Sequence, residues 1–170
     1  MATITYTVTV ATGTNQYSAG ANKFYINGEV SPVLELQEGN TYIFDQSDST
    51  NGTGGGHPLR FSATANGTWG TAPGGGAGVA YTTGVTTSGT PGNAGAYTQI
   101  VVAPVQTVGA PVLFYYCSNH SGMGNTALTT PPTSGETFFN PSMDEIIEEA
   151  FERTSMRGTR TGYQLRSARR

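Results

Sequence analysis

From Thr5 to Val10 the chain alternates without a break, with Tyr6, Val8 and Val10 on one side and Thr5, Thr7 and Thr9 on the other. A period of two among β-branched and aromatic residues marks a strand with one buried face. Segments 23–26, 33–36, 41–45, 59–62, 98–102 and 112–117 follow suit, each short, rich in β-branched or aromatic residues and bounded by Gly, Pro, Asn or Ser. Seven or so short strands in about 120 residues, with no helical period between them, predict a mainly β fold of Greek-key type, a sandwich or a barrel. Residues 63–95 break the pattern, because glycine dominates there and only Trp69, Val79, Tyr81 and Val85 interrupt it. This stretch is expected to be a long excursion or a pair of loose strands, and such loops either carry function or are held by a neighbour.

The period changes near residue 136. Before it the charged residues are Lys23, Glu29, Glu35, Glu38, Asp45, Asp48 and Arg60, and every glycine except Gly158 and Gly162 lies there too. We therefore expect a β domain over 1–135, a joint at Thr130, Pro131, Pro132 and Thr133, and a helical tail over 136–170. Ser142 and Glu145 form a capping box behind Pro141, while Met143, Ile146, Ile147, Ala150 and Phe151 share one helical face. The spacing predicts a helix over 142–153, stopped by Gly158. Thr161 and Gln164 then open a second helix through Tyr163, Leu165 and Ala168 to Arg170. An isolated helix shorter than about 12 residues is marginal in water, so this end is expected to dock on a partner or to begin a longer sequence. Acids crowd into 136–153 and arginines into 154–170. Two solvated faces that attract each other account for this, and so does a docking surface for other subunits.

Composition narrows the function classes. With 170 residues, 17.7 kDa and 36% hydrophobic residues, the chain builds one modest core and not two large domains. A net charge of −3 and a pI near 5.2 give no reason to expect nucleic acid or an anionic membrane as partner. A single cysteine, Cys117, excludes an internal disulfide. The opening M-A-T-I-T-Y-T-V-T-V has neither a basic segment nor an apolar run, and no window approaches the roughly 18 apolar residues of a membrane span. The expectation is a soluble product that stays in the cytosol or leaves it with assembled particles at lysis.

The candidate chemistry lies in one constellation. The apolar strand V-L-F-Y-Y-C leads into C-S-N-H-S-G-M, which puts Cys117, His120 and Met123 on one loop at intervals of three. The other histidine, His57, stands in G-G-H-P-L-R-F just ahead of a strand. Two imidazoles, a thiolate and a thioether are the donor set of a blue-copper centre, a trigonal His₂Cys plane with a long axial Met. The bland alternative is that the four side chains merely knit the loop to the sheet, the cysteine acting as a small buried hydrophobe.

The pattern C-x-x-H-x-x-M after an aromatic strand, with an upstream histidine before another, resembles the cupredoxin family over residues 4–128, and its short loop is similar to the amicyanin type. The resemblance implies a cupredoxin-like β-sandwich with His57, Cys117 and His120 as equatorial copper ligands and Met123 as the axial one. Cupredoxins usually carry an asparagine after the first histidine, where it braces the ligand loop, whereas this chain has Pro58.

The phrases E-G-N-T-Y-I-F-D-Q-S-D, H-P-L-R-F-S and F-Y-Y-C-S-N-H-S-G-M-G resemble domains of structural proteins of marine and cyanobacterial phages. Residues 143–170 resemble the opening helices of neck or tail adaptor proteins of short-tailed phages. These resemblances imply a non-enzymatic virion component, assembled in the host cytoplasm at the neck, tail or capsid surface. Its partners would be portal, neck or tail subunits and copies of itself. The rival readings are a soluble type 1 copper electron carrier and a glycan- or receptor-binding module using Trp69 and Tyr81. Asp45, Asp48 and Asn51 lack the spacing of an EF-hand and are expected to form a polar turn.

Overall fold

The structure is a computed structural model that describes residues 1–103 and 112–131. The predicted helices over 142–153 and 161–170 and the joint beyond Pro131 lie outside the described residues. Every strand expected from the alternation is present to within a few residues: β1 (Thr3–Gly13), β2 (Ala21–Ile26), β4 (Leu34–Gln37), β5 (Thr41–Asp45), β6 (Leu59–Ser62), β9 (Tyr97–Val101) and β10 (Leu113–Cys117). Four more are added, namely β3 (Glu29–Val30), β7 (Ala80–Tyr81), β8 (Val85–Ser88) and β11 (Asn125–Thr130). The glycine-rich excursion thus contributes two short strands, β7 and β8, and a 3-10 turn over Gly67–Trp69.

The strands form two mixed sheets rather than one closed barrel, in the orders β3-β2-β1-β5-β9-β8 and β4-β11-β10-β6-β7. Each contains one parallel pair, β1 with β5 and β11 with β4, among antiparallel neighbours. The alternation decides which side chains meet between them. Val8, Val10, Phe24, Ile26, Phe44 and Ile100 from the first sheet share one apolar cluster with Leu36, Leu59, Phe61, Leu113, Tyr115 and Ala127 from the second. Phe44 meets Phe61 edge-on with ring centroids 5.5 Å apart, and Phe24 lies 6.5 Å from Tyr115, so aromatic contacts cross the core twice. Such pairs contribute about 1 kcal/mol each beyond the area they bury.

One irregularity of β1 positions the site. Its first half, Thr3 to Thr7, pairs with β5, and its second half pairs with β2 on the other edge. Where β5 ends, the edge of β1 beyond Thr7 needs new partners, because an unpaired buried amide or carbonyl is costly. The 3-10 turn Ser49–Gly55 supplies them. The Thr50 hydroxyl accepts from Val10 N–H at 2.9 Å, and the Asn51 side-chain amide donates to the Val8 carbonyl at 2.7 Å. Asp48 caps that turn by accepting from the Thr50 amide and hydroxyl, while Asp45 accepts from Ser47 N–H, so these acids form the expected polar turn. The turn delivers the chain to His57 at the mouth of β6. Among the described residues no helix is long and apolar enough to cross a membrane.

Candidate metal centre

Cys117 closes β10 opposite Leu59, the first residue of β6. Because the two strands run antiparallel, the residues just before β6 meet those just after β10, and this brings His57 to the loop that carries His120. The Cys117 sulfur lies 3.9 Å from His57 Nδ1 and 3.7 Å from His120 Nδ1. The three ligand atoms all lie within 4.8 Å of one another, and the imidazole centroids are 4.5 Å apart. His57 and Cys117 are fully buried, while His120 is half-buried.

With bond lengths of about 2.3 Å to sulfur and about 2.0 Å to nitrogen, as zinc makes, a trigonal plane puts each nitrogen about 3.7 Å from the sulfur. The observed 3.7 and 3.9 Å match that spacing. The three residues are compatible with holding one metal ion. Met123 follows on the same loop and is also fully buried, as a member of the core cluster. Its carbonyl accepts from Phe24 N–H and from the Ser31 hydroxyl, both at 3.0 Å, so the loop is tied to β2 at this residue.

Burial acts in opposite directions on the two buried donors, favouring the ligating form of His57 and disfavouring that of Cys117. Burial, joined by the neighbouring His120, pushes the His57 imidazole below its ordinary range, which favours the neutral ring that a metal needs. Burial raises the Cys117 thiol, while N–H bonds from Asn119 and His120 and the charge of Arg60 act the other way. The sulfur is therefore a thiol at neutral pH, and binding of a metal there would displace its proton. With Nδ1 turned to the sulfur, the ring proton of a ligating His57 sits on Nε2, which is buried and has no hydrogen-bond partner. Gly54 is one of that nitrogen's neighbours. A Cβ on Gly54 would come within 3.9 Å of it.

Several residues that support the centre escape a reading of sequence motifs. Gln46 is buried, and its amide donates to the His57 carbonyl at 2.7 Å while its oxygen accepts from Leu59 N–H at 3.0 Å. Asn51 accepts the His57 N–H on its backbone carbonyl at 2.7 Å. The Asn66 side chain accepts from Gly122 N–H at 2.7 Å, and Asn15 donates to the carbonyls of Gly122 and Gly124. The excursion is thus fastened to the ligand loop rather than loose. The one available sequence signal concerned Gln46, which continues the inward register of Tyr42 and Phe44 and so places an amide where an apolar residue belongs.

No family model, curated protein or solved structure matches this chain.

Proposed function

We propose that the β domain is a cupredoxin-like Greek-key sandwich that binds one copper ion, with His57, Cys117 and His120 as equatorial ligands and Met123 as the axial one. The observation that carries this reading is the convergence of one sulfur and two imidazole nitrogens, all within 4.8 Å of one another. Two imidazoles and one thiolate with a thioether following on the same loop are the donor set of a blue-copper centre, whereas zinc rarely takes a thioether. Copper would supply exchange of single electrons between its two oxidation states. The chain's own residues exclude water through the burial of His57, Cys117 and Met123, and they leave His120 as the ligand nearest solvent.

The wider role rests on sequence rather than on this geometry. We propose that the copper module belongs to a phage particle as a neck, tail or capsid-decoration component, docked on portal, neck or tail subunits and on further copies of itself through residues 136–170. A soluble type 1 copper electron carrier is the second reading, and the ligand convergence favours it directly.

One set of measurements tests both. Cu(II) added to the purified full chain is expected to bind at one equivalent and give intense visible absorption that Cys117→Ala abolishes; a colourless wild type overturns the copper reading. Particles containing the chain are expected to retain copper and to bury 142–170 against other chains. A full-length chain that stays monomeric and joins no particle favours the electron carrier instead.

A further inference from the structure

The candidate centre joins two segments 60 residues apart in sequence, the turn around His57 and the loop that starts at Cys117. Beyond the ladder between β6 and β10, a small set of contacts outside the ligands themselves joins them. The Asn119 side-chain amide donates to the carbonyls of both Gly55 and Gly56 at 3.2 Å, immediately before His57. Ser118 N–H donates to the Pro58 carbonyl at 3.1 Å, immediately after it. Gly55 and Gly56 both have positive φ, +91° and +86°, a conformation other residues rarely adopt, and in it their two carbonyls serve one NH₂ group. Proline has no amide hydrogen, so Pro58 offers the sulfur no donor from the His57 side. Asn119 therefore joins both halves of the centre, standing on the loop between Cys117 and His120 and gripping the histidine turn through its side chain.

We propose that Asn119 is a positioning residue that sets the distance between the Cys117 sulfur and the His57 ring, bracing the centre from the ligand loop. The proposal rests on the copper reading above and adds a residue to it. Asn119 is exposed to solvent, so its amide does not serve the core and its replacement leaves the apolar cluster intact.

The test uses the full chain as wild type, Asn119→Ala and Asn119→Asp. The aspartate keeps the shape but offers lone pairs to two carbonyls. Both variants are expected to fold, to bind Cu(II) with a displaced and weakened visible band and altered hyperfine splitting, and to lose about 10- to 100-fold in Cu(I) affinity by chelator competition. In the metal-free protein the Ser118 amide is expected to exchange with solvent about tenfold faster in Asn119→Ala. Variants with the wild-type band, affinity and exchange rate overturn the proposal. If the wild type takes up no copper, the copper reading fails alone, and Ser118 exchange still decides the brace: an unchanged rate overturns it and a faster one upholds it.

Discussion

The indole N–H of Trp69 donates to the main-chain carbonyl of Cys117 at 2.9 Å, which ties a ring of the glycine-rich excursion to the residue that bears the sulfur. Trp69 is 48% exposed and is the single tryptophan of the chain, so its emission reports on this spot alone. Copper bound at Cys117 is expected to quench that emission. A titration of wild type beside Cys117→Ala checks it, and equal quenching in both would sink the assignment. Trp69→Phe keeps a ring but removes the donor, and it is expected to lower stability by about 1 kcal/mol in urea melts.

The Gln46 side chain stitches β5 to β6 and β9. It accepts from Leu59 N–H at 3.0 Å and from the Thr98 hydroxyl at 3.4 Å, and it donates to the His57 carbonyl at 2.7 Å. Leucine in its place would fit the apolar register yet strip those groups of this partner. Each buried group left unsatisfied costs about 1–3 kcal/mol. Gln46→Leu is therefore expected to lose about 3 kcal/mol or more by chemical denaturation and to weaken copper uptake; a variant as stable as wild type contradicts the account.

Gly67 lies directly under the Tyr116 ring. A Cβ there would fall 2.3 Å from ring carbons, and the backbone sits at φ +59°. Gly67→Ala combines a left-handed penalty with an overpacked aromatic, about 3 kcal/mol together. Gly75 has φ +93° but open space around it, so Gly75→Ala is expected to show only backbone strain of about 1–2 kcal/mol. Thermal melts of the pair separate crowding from strain.

The Tyr115 hydroxyl donates to the Pro32 carbonyl at 2.7 Å. Burial first, and then the nearby Glu29 and Tyr17, hold it far above its ordinary value of 10.0. A group whose pKa is raised by folding gives stability that is complete below the unfolded value and fades as pH climbs past it. The urea midpoint is expected to fall as pH rises above about 10, less steeply in Tyr115→Phe. An identical slope in both proteins would remove Tyr115 from the explanation.

The strands were legible because alternation survives in segments such as Thr5 to Val10, where burial follows every second residue. β11 was not, since N-T-A-L-T-T buries only Ala127 and is held by ladders to β10 and β4 rather than by an apolar face. β8 escaped for a similar reason, with three of its four residues exposed. The Cys-x-x-His spacing marked half of the centre, and its distant partner could be named because the chain has just two histidines. The supports around them, Asn15, Asn51, Asn66 and Asn119, bond mostly to main-chain atoms, whose positions no residue letter records.

His57 is gripped at both of its main-chain polar groups, its N–H by the Asn51 carbonyl and its carbonyl by the Gln46 amide. A ligand held this way has already surrendered its freedom while the strands assemble, so an arriving cation has little left to immobilise there. Were the proposed copper to enter, loading would be a matter of settling one partly open imidazole, and the empty and filled domains would share nearly the same outline.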